Sequence, residues 1–411
     1  MSVTKKYSLI AALLGSLVLH GGYPPAQAGI LVQCPGDTDG SASWEGEEIQ
    51  PPNTKCMHLG AGDGFVTMAD GKSQYMFGFS DLTTYATNPA TVNVMEVGTL
   101  AATFPAPPIV LDEGDEFYLT LTNVGMIMRP DLFDPHTVHY HGFPQAASVF
   151  DGVPDDSISI NMGSSLTYYY KINDPGTYMY HCHVEATEHM QMGMLGNLYV
   201  RPAQDGTSYE YPIGSGIFFT RFAYNDGDGS TGYDVDYPIQ IGSFDSAFHD
   251  ASVTVQPLPF ALMEDNYPML NGRGYPDTVN RDPLPAQPVD NGGKVTQWES
   301  SLIEASPGQR VLLRISNLNV TRYYTLGSLG TSMQVVARDA KLLRGPTGKN
   351  LYYNTNSVTV GGGESVDVIL DIPAEAVVGE TYFLYTTNLN YLSNDAEAEA
   401  FGGMMTEIRI N

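Results

Sequence analysis

Positive charge is what this 411-residue sequence has least of. Nineteen lysines and arginines stand against 46 aspartates and glutamates, for a net charge of −27. A chain this acidic is repelled by nucleic acid and by anionic membrane surfaces, which excludes both as partners. Long apolar runs are also missing. No stretch reaches the roughly 18 apolar residues that a membrane helix needs, so no membrane span is expected. Cysteine is down to three residues and tryptophan to two, and charged residues make up only 16%. What is plentiful is glycine and proline, 43 and 27 residues. That mix favours a turn-rich β protein over a helical bundle. A hydrophobic content of 42% excludes wholesale disorder. The length suits two or three domains.

Residues 1–28 read as an export signal peptide. Lys5 and Lys6 precede a short apolar run from Leu9 to Leu19, and Ala26-Gln27-Ala28 fits the small-residue cleavage rule. Cleavage there starts the mature chain at Gly29, moves the net charge from −27 to −29, and predicts a periplasmic or secreted protein. In that oxidising setting Cys34 and Cys56 are expected to pair, stapling an N-terminal extension over residues 29–60.

The remainder reads as β structure. Pro108–Leu111 and Glu116–Asn123 flank an acidic turn carrying Gly114. Leu166–Ile172, Thr177–Tyr180 and Leu195–Val200 are further strands between turn signals. They make one sandwich over residues 61–205. A second, over 206–411, repeats the logic: Gly214–Arg221, Arg310–Asn317, Gly361–Leu370 and Thr381–Thr386 read as strands. Residues 225–291 read as extended surface loops around a few strands, and Ala374–Val377 as a short helical segment.

Histidine distribution carries the chemistry. Six of the nine histidines fall in two windows, HTVHYHG at 136–142 and YHCHVEATEHMQMGM at 180–194. Residues two apart on a strand share a face, so His139 and His141 point one way, as do His181 and His183. Cys182 points the other way, into its own sandwich, where His136, His189 and a methionine are within reach. Imidazole, thiolate and thioether together select copper over zinc. The sequence thus reads as two metal environments joined at one strand: a Cys/His/Met site and an all-histidine cluster. The other two candidate histidines, His58 and His249, read as ordinary surface or core residues. Met126, Met128, Met190 and Met192 flank the motifs, either as a soft patch for cuprous ions or as core filling.

The segment from Pro108 to Arg201 resembles the copper-bearing cupredoxin domain of the multicopper oxidases, such as laccases. His139-Tyr140-His141-Gly142 is similar to that family's HWHG-type cluster motif. Asp151-Gly152-Val153-Pro154 matches its DGVP, and Gly176–His183 its Gly-Thr-x-x-Tyr-His-x-His strand. The resemblance implies two tandem cupredoxin-like Greek-key β-sandwiches, all-β. It implies a type 1 copper on His136, Cys182, His189 and Met194, with Met194 the axial ligand. A type 2/type 3-like copper cluster would draw on His139, His141, His181 and His183, with Asp151 as proton donor to bound oxygen. The second sandwich is similar to the family's copper-free middle domain, with Thr331 near where that domain often has histidine.

Two departures stand out. Cys182 and His189 are seven residues apart, a spacing between those of laccases and copper nitrite reductases. The family's cluster also takes histidines from two domains, whereas here one domain supplies them all. The resemblance therefore implies a homo-oligomer or a partner chain that completes the cluster, or else a reduced cluster. The expected activity is an exported copper oxidase that takes electrons from a small reductant, a phenol or a metal ion, and passes them to O2. The alternatives are a nitrite reductase-like enzyme and a type 1 electron-transfer or copper-sequestering protein.

Overall fold

The structure, a computed structural model, describes residues 32–38, 40, 44, 46–85, 93–254, 257–394 and 402–411. The expected signal peptide lies outside these. No helix among the described residues is long and apolar enough to cross a membrane.

The first sandwich has eight strands: β1 (Thr54–Thr67), β2 (Ser73–Asp81), β3 (Ala106–Asp112), β4 (Glu116–Gly125), β5 (His139–His141), β6 (Ser165–Lys171), β7 (Gly176–His181) and β8 (Leu195–Arg201). One sheet runs β2-β1-β4-β6 and the other β3-β8-β7-β5. Period-two alternation sends Phe117, Leu119 and Leu121 of β4, Tyr168 and Tyr170 of β6, and Tyr178 and Tyr180 of β7 into one shared core. The sandwich starts at Thr54, ahead of the expected boundary at residue 61. The reason is that β1 is an inner strand, parallel to β4. Its glycines at 60, 62 and 64 disguise it, because glycine is depleted in strands. The Cys34–Cys56 disulfide ties the preceding segment to this strand.

In the second sandwich, Arg310–Asn317 pairs with Glu364–Asp371 on one side and with Val235–Phe244 on the other. The facing sheet contains Tyr324–Leu329, Thr381–Thr386 and Met405–Ile410. Two expectations fail here, at Gly214–Arg221 and at Ala374–Val377. Gly214–Arg221 holds only a two-residue strand, Phe218–Phe219. The loop-rich stretch, expected to hold a few unplaced strands, contains the ten-residue strand Val235–Phe244, whose Pro238 and Gly242 hide its position from a propensity reading. Ala374–Val377 is turn, not helix.

What positions the site is the seam between the sandwiches. Every residue of β7 is buried. Tyr178 and Tyr180 fill the first core, while Thr177 and Met179 face the second domain. Thr177 Oγ1 donates to Asp367 at 2.5 Å, Ser365 Oγ donates to the Thr177 carbonyl at 2.8 Å, and Met179 packs with Phe244, Tyr267 and Met269. By alternation, His181 at the end of β7 lies on the second-domain face and Cys182 on the core face. The helix Ser246–Ser252 clamps the seam elsewhere. His249 on it, with ring nitrogens 2.6 and 2.9 Å from the carbonyls of Tyr75 and Gln191, is a buried junction residue, and burial holds its pKa down to about 4.

Candidate metal centres

Cys182 is completely buried. Its Sγ lies 3.7 Å from Nδ1 of His136 and 3.2 Å from Nδ1 of His189. His136 sits on the loop leading to β5, held by backbone bonds with Ile160. His189 lies on the helix Ala186–Gln191. The chain closes back from that helix to β8 through Met194, whose amide donates to the His189 carbonyl at 2.8 Å and whose carbonyl accepts from the Cys182 amide at 3.2 Å. Met194 is fully buried in the same core as Cys182. Burial alone opposes a charged thiol, but the neighbouring imidazoles of His189 and His136 outweigh it and pull the Cys182 pKa well below its ordinary value. Burial likewise opposes a charged His189, yet Cys182 and Asp134 raise its pKa to about 10. The chain's own electrostatics therefore favour thiolate at Cys182.

The donors fit copper. Two imidazole nitrogens and a thiolate converge on one buried point, with Met194 beside them, which is the set that marks blue-copper sites. The Nε2 atoms of His136 and His189 point away from it and are buried without hydrogen-bond partners. Asp134 Oδ2 lies 3.9 Å from the His189 Nε2.

On the other face of β7, antiparallel pairing sets His139 opposite His181. The ligand nitrogens of His139, His141 and His181 lie within 4.8 Å of one another. His183 stands beside them, its ring centroid 5.0 Å from that of His139 and 5.6 Å from that of His181, but it is not one of that three-nitrogen group. Backbone carbonyls fix two of the rings: His139 Nδ1 donates to Asp151 O at 2.7 Å, and His181 Nδ1 to Cys182 O at 2.8 Å. Each of these rings keeps Nε2 for a metal. Burial holds the His181 pKa down to about 3, and burial also lowers that of His141, so both stay neutral and able to ligate. The Asp151 carboxylate lies 3.6 Å from His139 Nδ1.

Sequence reasoning missed two neighbours. Asp134, two residues before His136, faces the outer edge of His189; the run Asp134-Pro135-His136 was the available signal. Gly363, from the second domain, abuts His141, and nothing local in the sequence announces it. Thr331 bonds to the Asp371 carbonyl at 3.4 Å. That is the far end of Glu364–Asp371 from Gly363, roughly 20 Å along a strand, so Thr331 does not reach the histidines of its own chain. The four flanking methionines do not form one patch. Met126 and Met192 are buried in the first core and Met128 is exposed.

Residues 82–205 and 261–406 each match the multicopper oxidase family. The chain belongs to the multicopper oxidase family. It is 36% identical over 106 residues to laccase 1 of Metarhizium acridum (strain CQMa 102), a match covering 25% of this chain and only 16% of that protein. To laccase-2 of Botryotinia fuckeliana it is 25% identical over 312 residues, 75% of this chain and 44% of that one. Among solved structures, the blue copper oxidase of Nitrosomonas europaea superposes with a TM-score of 0.60 at 21% identity, covering 87% of this chain and 86% of that one. The copper nitrite reductase of the same organism gives 0.56 at 17% identity, covering 87% and 94%. At these identities the superpositions establish the cupredoxin-like fold. As a family member the chain is a copper protein, and all the histidine-containing metal-ligand groups among its described residues lie in the first domain.

Proposed function

We propose that this multicopper oxidase family member is an exported enzyme that oxidises a small reductant, a phenol or a metal ion, at the Cys182 site and reduces O2 at the histidine group. Copper, when bound, supplies the one-electron chemistry. His136, Cys182, His189 and Met194 would hold one ion. His139, His141 and His181, with His183 beside them, would hold the others. The observation that carries the reading is that the two donor groups sit back to back on β7: Cys182 belongs to one, and its sequence neighbour His181 to the other. The chain keeps water from Cys182, fixes the His139 and His181 imidazoles by backbone carbonyls, carries His189 on a helix, and keeps a carboxylate, Asp151, beside His139. A second copy or a partner chain would complete the histidine group.

The outlying position of His183 favours one second reading, a nitrite reductase-like enzyme working at the three-nitrogen group. Copper-loaded protein given a reductant separates the two: O2 uptake supports the oxidase, and conversion of nitrite to nitric oxide without O2 uptake supports the alternative. Cys182→Ser is expected to abolish intense blue absorption and turnover together. A blue Cys182→Ser protein would remove Cys182 from the site.

A further inference from the structure

The second domain brings no histidine to the cluster, yet one of its residues touches it. Gly363 lies in the turn between Ser357–Val360 and Glu364–Asp371, with φ of +86°. A Cβ on Gly363 would stand 2.6 Å from His141 Nε2 and 2.9 Å from its Cε1. Metal ions sit about 2.0–2.1 Å from a ligating imidazole nitrogen. A methyl group at residue 363 and an ion on that nitrogen would therefore compete for one space.

On the side of the second domain the wall is fixed. The Gly363 amide donates to Asn317 O at 2.8 Å, and the Gly361 amide to Glu364 Oε2 at 2.7 Å, which fixes the turn. The strand that follows is pinned to β7 through Ser365 and Asp367. Positive φ by itself favours glycine at residue 363, so backbone strain has to be separated from contact with His141. Asp339 and Ala340, in the neighbouring turn of the same domain, hold φ of +48° and +55° with side chains present.

We propose that Gly363 keeps the coordination space of His141 open, so that the second domain governs metal binding at a site whose histidines all belong to the first. The proposal rests on the reading that the histidine group binds copper. The test uses the full chain as wild type, Gly363→Ala and Gly363→Asn; asparagine tolerates positive φ but still carries a Cβ. Gly348→Ala is the control for backbone strain, since Gly348 has φ of +80° and open space around a Cβ. Each protein is titrated with copper(II), and copper per chain, blue absorption and the paramagnetic resonance spectrum are read.

Both Gly363 variants should keep the blue absorption of the Cys182 site and bind copper at the histidines about 10–100-fold more weakly. Gly348→Ala should match wild type. Histidine-bound copper as tight in both Gly363 variants as in wild type overturns the proposal. Wild-type protein that binds copper only at Cys182 overturns the copper reading of the histidine group and this proposal with it. That failure is recognisable because it appears before any substitution.

Discussion

His181 Nδ1 donates its proton to the carbonyl oxygen of Cys182 at 2.8 Å, although the two side chains leave β7 on opposite faces. The bond fixes the tautomer and turns Nε2 of His181 towards His139 and His141. It also ties the histidine group to the backbone of the residue that anchors the Cys/His/Met site. The two donor sets are thus one rigid unit, joined through a covalent bond and a hydrogen bond. A change that rotates Cys182 will be felt at His181.

Asp134 tests the outer edge of that unit. Its carboxylate faces His189 Nε2 at 3.9 Å, and the neighbouring His189 imidazole holds its pKa below the ordinary carboxylate value. A negative charge there favours the oxidised, more positive state of a copper held on Nδ1. Asp134→Asn should therefore raise the midpoint potential of the blue centre, by roughly 50–90 mV for a charge about 8 Å away at an effective dielectric near 20. Redox titration followed at the blue band checks it. An unchanged or lowered potential would place Asp134 outside the electrostatic field of the site.

Asp151 has two contacts with His139, and they separate cleanly. The backbone carbonyl accepts from Nδ1 at 2.7 Å, and the carboxylate lies 3.6 Å from the same nitrogen. Asp151→Asn keeps the carbonyl and removes only the carboxylate, the proposed proton carrier. Copper content and blue absorption should stay as in wild type, while O2 uptake falls about 100-fold or more, the usual scale for a lost general acid. Loss of copper in Asp151→Asn would instead make the carboxylate a structural prop for His139.

The sequence reading grouped the first-domain donor residues because they are local. Period-two alternation on β5 and β7 is enough to separate Cys182 from His139, His141 and His181. It placed His183 with them, but β7 ends at His181, and although Cys182 still follows the alternation into the first core, His183 does not join the three-nitrogen group. Gly363 and His249 were out of reach for another reason. Each acts on residues far off in the chain, His141 in one case, Tyr75 and Gln191 in the other, and only the packing of the two domains brings them together. Val235–Phe244 stayed hidden because its stability comes from parallel pairing with Arg310–Asn317, which overrides a proline and a glycine in its own sequence.

His58 makes stability depend on pH, with a predictable sign. It is fully buried on β1, with Nε2 2.7 Å from Thr122 Oγ1 and Nδ1 without a hydrogen-bond partner. Burial lowers its pKa to about 4, against about 6.5 in the unfolded chain. Between those values the unfolded chain takes up a proton that the folded protein refuses. Stability is therefore fully present above pH about 6.5, falls as pH drops through the window, and levels off below about 4, for a loss of about 3 kcal/mol from this residue. His181 and His249 act in the same direction, so the contribution of His58 has to be isolated. Urea unfolding of wild type and His58→Gln at several pH values between 4 and 7 does this. The variant should lose less stability across the window, its slope shallower by up to about 1.4 kcal/mol per pH unit. Parallel slopes would mean that His58 takes up its proton in the folded state as readily as in the unfolded one, and that the first sandwich opens to water at β1.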